Sequence, residues 1–324
     1  MPTPHVNAGE DEKRTSVRLE RFIRSASLEL NVSALDRLPP VTDQPPEEAA
    51  RVRIADPSQL TVAEIEALFS GFGSRFGMVA FETGHTVFSG QHPLCRMGAQ
   101  LRDVIPSRWP VFSSSDEVDG TTKIRDVADP NLKSRSLSSQ AMAAHQDGWL
   151  SLRGKPGILA VTGLWAENAP VESAATFSQN MLRLALELLR SDEAAFAALL
   201  ADDAVSIVGR SGEIAAISPV LFLGPGNRTQ TFYRGSNDEY QVIPGTNDPA
   251  NRRAVDFLNC FVSPGANGSV FSRLDRPGRG LLLNNRHCVH GRTRFTDGEA
   301  PGQKRVIASK WWASDDEHRT LVWD

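Results

Sequence analysis

Asn284-Asn285-Arg286-His287-Cys288-Val289-His290-Gly291-Arg292 and, far upstream, His145-Gln146-Asp147 are the stretches that decide how this chain is read. Side chains alternate along an extended strand, so His145 and Asp147 share one face and Gln146 takes the other. One short segment thereby offers an imidazole and a carboxylate together. His290 follows 290 − 145 = 145 residues later, a separation suited to strands that meet across a barrel. Two imidazoles and one carboxylate make up the facial triad that holds non-haem Fe(II) while leaving positions for substrate and oxygen. His287 does not complete this set, because three residues before His290 a strand side chain points to the opposite face. Cys288 shares the parity of His290 and is read as a small buried filler.

Composition narrows the function classes. With 324 residues and 40% hydrophobic content, the chain can bury a sizeable core and fits one large domain or two small ones. Lys plus Arg total 35 against 39 Asp plus Glu, a net charge of −4 that offers no footprint for a nucleic-acid backbone. Cys95, Cys260 and Cys288 are widely spaced and odd in number, which is neither a disulfide framework nor a zinc pattern, so a reducing cytoplasm is expected. No apolar run approaches the roughly 20 residues needed to span a bilayer. The stretch from Met1 to Arg14 is polar where a signal peptide needs an apolar core, and export is not expected.

Residues 1–15 read as a mobile polar tail. From Ser16, the positions Val17, Leu19, Phe22 and Ile23 predict an amphipathic helix, stopped by Pro39-Pro40 and Pro45-Pro46. Leu60 to Phe72 predicts a second helix, with Thr61 as N-cap ahead of Glu64 and Gly71 and Gly73 at its end. Short β-type runs then dominate: Gly77–Phe81, Gly157–Leu164, Ala204–Val208, Pro219–Leu223, Gln230–Tyr233, Gly280–Leu283 and Val306–Trp312. A helical insertion is expected over residues 177–200. Many short strands with few helices predict a mainly β fold with flanking helices, a sandwich or jelly roll. The expected organisation is a helical segment over 16–75 and a jelly-roll core over 76–324.

Arg305 opens the segment Arg305 to Trp312, whose parity puts Arg305, Ile307, Ser309 and Trp311 on one face. An inward guanidinium can take a carboxylate through two parallel hydrogen bonds, which Lys cannot reproduce. The other reading is an arginine at a strand entrance that caps the barrel end or pairs with a surface acid.

Together these segments resemble the clavaminate-synthase-like branch of the taurine-dioxygenase type Fe(II)/2-oxoglutarate-dependent oxygenases. The resemblance is carried by Gly84-His85-Thr86-Val87-Phe88, by Leu137-Ser138-Ser139-Gln140 with the following His145-Gln146-Asp147, by Ser173-Ala174-Ala175-Thr176, and by Asn284 to Phe295 with Arg305 downstream. It implies a double-stranded β-helix (jelly-roll, cupin-like) core, with Fe(II) held by His145, Asp147 and His290, and with 2-oxoglutarate and O2 as cosubstrates. It further implies that Arg305 clamps the distal carboxylate of 2-oxoglutarate, Thr176 adds a hydroxyl hydrogen bond, and Arg292 supports them. The implied reaction is hydroxylation of an unactivated C–H bond in a small amino acid or amino-acid-derived metabolite, coupled to conversion of 2-oxoglutarate to succinate and CO2.

Several family members carry Glu where this chain has Asp147, and the shorter arm still reaches iron. A carboxylate at this position argues against halogenation, which needs a small residue there. Ser139 and Gln140 are the first candidates for substrate contact, although a Ser-Ser pair also suits an ordinary turn. Asp238, in the run Arg234 to Tyr240, could meet a cationic substrate group or could be a solvated loop acid. Ser309 stands where family members can carry a basic substrate-contacting residue, which leaves the substrate open. Desaturation and ring closure in a natural-product pathway also stay open. Two other classes are a non-catalytic jelly-roll metal-binding protein and a zinc hydrolase. Arg305 and Thr176 argue against the first, and the lack of a general-base motif against the second.

Overall fold

In a computed structural model, residues 8–30, 38–73, 77–84, 88–104, 112–114, 119–126, 139–147, 159–224, 227–237 and 240–313 are described. The chain opens with helix α1 (Ala8–Glu29), strands β1 (Glu47–Glu48) and β2 (Arg51–Ile54), helix α2 (Val62–Phe72), strand β3 (Met78–Thr83) and helix α3 (Pro93–Val104). Strands β4 (Phe112–Ser114), β5 (Thr122–Arg125), β6 (Met142–His145), β7 (Leu159–Asn168) and β8 (Ala175–Asn180) precede helices α4 (Met181–Ser191) and α5 (Glu193–Ala198). Next come β9 (Val205–Gly209), β10 (Ile214–Ser218), β11 (Leu221–Leu223), β12 (Thr229–Thr231), β13 (Tyr240–Pro244) and helix α6 (Pro249–Phe261). The final strands are β14 (Val270–Arg273), β15 (Arg279–Asn284), β16 (Cys288–Arg292) and β17 (Val306–Ala313).

Two sheets make the jelly roll. The larger runs β2-β3-β15-β7-β17-β4, with β5 also paired to β17, and the smaller runs β1-β14-β8-β16-β6. Alternation assigns each strand two jobs. Met78, Ala80, Leu164, Leu281, Leu283 and Ile307 of the large sheet meet Val270 of the small sheet in the space between them. On the opposite face of the large sheet, Val79, Phe81, Trp165 and Trp312 pack with Leu68 of α2 and Leu94, Met97 and Leu101 of α3. The outer face of the small sheet presents Ala144, Phe177 and Val289 to Phe22, Met181, Leu182, Leu184 and Leu258 on α1, α4 and α6. Each fully buried Leu or Phe contributes about 1.5–3 kcal/mol.

Thr61 caps α2 in a reciprocal box with Glu64, and Gly73 ends it, as the sequence predicts. Three expectations need correction. Helix α1 begins at Ala8, inside the stretch read as a mobile tail, because its Ala, Glu, Lys and Arg residues are good helix formers. Phe177 to Asn180, expected to begin the helical insertion, belong to β8, and α4 starts only after Asn180 accepts a cap hydrogen bond from the Arg183 backbone N–H. Phe177 is buried against the helices while Thr176 and Ser178 face inward, a period of two that the apolar run after Met181 obscures. Helices α3 and α6 were also missed, α6 despite its Asp248 cap and Pro249 start. Among the described residues no helix is long and apolar enough to cross a membrane.

Gly291 lies opposite Phe177 on the outer face of β16. A Cβ there would stand 2.5 Å from Phe177 Cζ and 2.6 Å from the Met142 carbonyl oxygen. Gly291→Ala is therefore expected to destabilise the protein by about 1–3 kcal/mol, read as a lowered midpoint of urea unfolding. An unchanged midpoint would show that β16 and β8 separate there without cost.

Candidate metal centre

The small sheet sets five side chains in one transverse row. Val270 pairs with Ser178, Ser178 with His290, His290 with His145, and His145 with Arg234 across a β-bridge. Directly opposed antiparallel residues project from the same face, with Cβ atoms about 4.5–5.5 Å apart. Both imidazoles therefore leave the inner face, with ring centroids 4.8 Å apart. Strand β6 ends at His145, so Asp147 is in a turn just beyond it rather than on the expected extended segment. Its carboxylate still joins the pair, Oδ1 3.6 Å from His145 Nε2 and Oδ2 3.6 Å from His290 Nε2. Ligand atoms of the three residues all lie within 4.8 Å of one another.

Neighbouring residues hold this arrangement. Asn285 brackets the Asp147 backbone, accepting from its N–H at 2.9 Å and donating to its carbonyl at 3.2 Å. Gln146 points away from the site, as expected, and donates to the Asn285 carbonyl at 2.6 Å while accepting from the Tyr233 N–H at 2.8 Å. The Thr162 hydroxyl of β7 donates to Asp147 Oδ2 at 2.6 Å, linking the two sheets through the carboxylate. His145 Nδ1 lies 2.9 Å from the Ala143 carbonyl. A proton on that nitrogen leaves Nε2 with its lone pair toward the site.

Burial raises the pKa of Asp147, but His290, His145 and the Thr162 hydroxyl reverse this and hold it at about 2. Burial pushes His290 down to about 4, against the pull of Asp147 and with help from His145. At neutral pH the centre therefore offers an ionised carboxylate and a neutral His290 imidazole, the states that bind a metal. Two imidazole nitrogens, each 3.6 Å from its own oxygen of the Asp147 carboxylate, suit a shared divalent ion at about 2.1 Å from each donor. The donor set fits the facial triad.

A second cluster lies farther along β16. Arg292 is two residues beyond His290, roughly 7 Å along a strand, and pairs across the sheet with Thr176. Arg292 and Arg305 are both buried, and their guanidinium carbons stand 4.9 Å and 5.0 Å from the centroid of one ring, Phe295. Arg292 donates to the Gln140 carbonyl at 2.6 Å, while Arg305 Nη1 has no hydrogen-bond partner among the described residues. Burial and then the Arg292 charge push Arg305 down to about 9, opposed by Asp297, and burial pushes Arg292 down to about 10. Both remain cationic at neutral pH.

Of the other expected residues, Ser139 and Gln140 stand beside this cluster through their backbones, Ser139 accepting from the Phe295 N–H at 3.2 Å. Ser309 is buried on β17 opposite Leu164, with the inward Ile307 two residues earlier. Asp238 lies outside the described residues, as do His85, Leu137 and Ser138. Phe88 packs on His92, 4.6 Å between centroids, against Trp165 on the helix-covered face. His287 stays apart from the centre, with Nε2 2.9 Å from the Thr229 carbonyl and 3.5 Å from Glu29. Sequence reasoning missed Thr162, Asn285 and Phe295. The only signal for Thr162 was a hydroxyl on the inward parity of an apolar strand.

Replacing Thr162 with Val keeps the shape and removes the hydroxyl; metal affinity should fall about 10- to 100-fold, measured by competition with a chelator. His290 gives a pH signature in the metal-free protein. Its folded pKa of about 4 lies below the ordinary 6.5, so its stabilising contribution is complete above 6.5 and is lost as pH falls toward 4. The loss amounts to about 3 kcal/mol, and His290→Gln should remove that component from the stability profile; an identical slope in both proteins would contradict the buried neutral imidazole.

No protein-family model matches the chain, and no curated protein matches it. Solved structures do. Asparagine oxygenase in complex with Fe(II), 2S,3S-3-hydroxyasparagine and succinate superposes with TM-score 0.52 at 18% identity, covering 79% of this chain and 80% of that one. The non-haem iron oxygenase OrfP in complex with Fe and alpha-ketoglutaric acid gives 0.55 at 17%, covering 82% and 83%. Its complex with Fe and L-Arg gives 0.52 at 17%, covering 82% and 83%. The chain shares the fold of these non-haem iron oxygenases.

Proposed function

We propose that this protein is an Fe(II)/2-oxoglutarate-dependent dioxygenase that hydroxylates a small amino acid or an amino-acid-derived metabolite. One observation carries the reading: His145, Asp147 and His290 converge on the inner face of the sheet, and two buried guanidiniums, that of Arg292 two residues farther along β16 and that of Arg305 just before β17, meet over the Phe295 ring. A structural metal site has no use for such a pair. Two cations buried together repel each other and cost solvation, and a dianion between the metal and Arg305 relieves both. The neighbours that share the fold include a structure with succinate and hydroxyasparagine and others with alpha-ketoglutaric acid or L-Arg. Three free cysteines, Cys95, Cys260 and Cys288, are consistent with work in a reducing cytoplasm.

Each residue then has a task. His145, Asp147 and His290 hold the iron, with Thr162 and Asn285 fixing the carboxylate arm. Arg305 would take the distal carboxylate of 2-oxoglutarate, with Thr176 and Arg292 beside it. Leu164, Ile307 and Val270 form an apolar wall that excludes water from the space between the sheets. The iron and 2-oxoglutarate together supply the oxidising chemistry, consuming O2 and releasing succinate and CO2 as the substrate C–H bond is hydroxylated. Orientation of that C–H bond falls to the protein.

Anaerobic addition of Fe(II) and 2-oxoglutarate to metal-free protein should produce the weak visible charge-transfer band of an iron chelate. Arg305→Ala should weaken 2-oxoglutarate binding roughly 30-fold or more while leaving Fe(II) bound. A wild-type protein that holds iron and shows no band would overturn the oxygenase reading in favour of a metal-binding protein.

A further inference from the structure

The transverse row that carries the two imidazoles does not stop at His145. Its next member is Arg234, directly opposed to His145 across the β-bridge. Opposed residues share a face, so the Arg234 side chain starts on the metal side of the sheet, about 4.5–5.5 Å from His145 at Cβ. This places it laterally, along the row, whereas Arg292 is displaced along the strand. The two arginines thus start from different positions around the centre, one across the sheet from His145 and one along β16 from His290.

Arg234 is also held firmly. On one side of it, the Tyr233 N–H donates to Gln146 Oε1 at 2.8 Å, and the Gln146 N–H donates to the Tyr233 carbonyl at 3.3 Å. On the other, the Gly235 N–H donates to the Ala144 carbonyl at 2.6 Å. The residues flanking Arg234 are therefore tied to the residues flanking His145. The guanidinium carbon stands 4.7 Å from the centroid of the Tyr240 ring. Stacking occupies the face of a guanidinium while its N–H donors lie in the plane, the disposition in which Arg meets a carboxylate edge-on. A cation fixed in this way loses little freedom on binding.

We propose that Arg234 is a substrate-anchoring residue, and that the substrate presents it a free carboxylate while its reacting carbon lies over the metal. The inference rests on the oxygenase reading above and names its substrate class: a carboxylic acid, such as a free amino acid, rather than an amide or ester. Arg305 holds the cosubstrate in this scheme and Arg234 holds the substrate.

The test begins with the anaerobic Fe(II)–2-oxoglutarate complex of the full-length protein, titrated with the proteinogenic L-amino acids and with their α-carboxamides. Perturbation of the visible band and calorimetric heat are read together. In wild type, at least one free acid should bind, with its carboxamide roughly 30-fold or more weaker. Arg234→Gln should abolish that preference, and Arg234→Lys should retain part of it, while both keep the unperturbed band and normal 2-oxoglutarate affinity. Equal binding of acids and carboxamides by wild type, a preference that survives in Arg234→Gln, or an intact band with no acid bound would each overturn the proposal. Absence of the band in iron-loaded wild type would instead sink the oxygenase reading, so the two failures are distinguishable.

Discussion

The register between β16 and β6 is the constraint on which the centre depends. It sets His290 directly opposite His145, and the period of two in a strand makes the arrangement all or nothing. A one-residue slip would turn one imidazole into the packing of Ala144, Phe177 and Val289 against α4 and bring an apolar side chain to the candidate metal centre. Burying that imidazole without a partner would cost on the order of 1–3 kcal/mol. The outer apolar face therefore selects the register, and the register assembles the inner polar face. Gly291 belongs to the same logic: Phe177 fills the space that a side chain would need, and so β16 and β8 stay close enough to hold His290 in line.

Charge is distributed along and across that strand in a definite order. Asp147 supplies the negative pole, where burial works against its charge and the imidazoles and the Thr162 hydroxyl favour it. Arg292 at the end of β16 and Arg305 just before β17 supply a positive pole, where burial works against both charges and the Arg292 charge works against Arg305. Phe295 partly compensates by offering its ring to both guanidiniums. Each pole is costly in isolation and becomes favourable with a counter-charge present, a divalent cation at one and an anion at the other. Arg234 adds a cation on a different bearing, across the strands from His145.

Much of this was legible from residue types and alternation. His145, Asp147 and His290 were identified because few combinations of side chains bind a transition metal, and strand parity separated them from His287. Thr61 and Glu64 announced α2 through local cap chemistry alone. The hidden parts depended on partners distant in sequence. Thr162 matters because β7 brings it to Asp147, and nothing in the run Leu159–Leu164 marks that meeting. Asn285 stood beside the expected ligand, but its bracket around the Asp147 backbone needs the two chain segments side by side. Phe177 misled because β8 runs directly into α4, with Asn180 serving both as the last strand residue and as the helix cap.

His287 illustrates how far a nearby imidazole can be from the chemistry. It sits in the turn before β16, where its Nε2 approaches the Thr229 carbonyl and the Glu29 carboxylate at the end of α1. Burial lowers its pKa while Glu29 opposes that shift. The same turn leads into His290, so the contact that seats α1 on the small sheet also supports the approach to the metal strand. Two histidines three residues apart thus divide their labour by face and by element, one joining a helix to the sheet and the other turned inward to the centre. Proximity in sequence would have merged them; the turn before β16 keeps His287 off the strand face that carries His290.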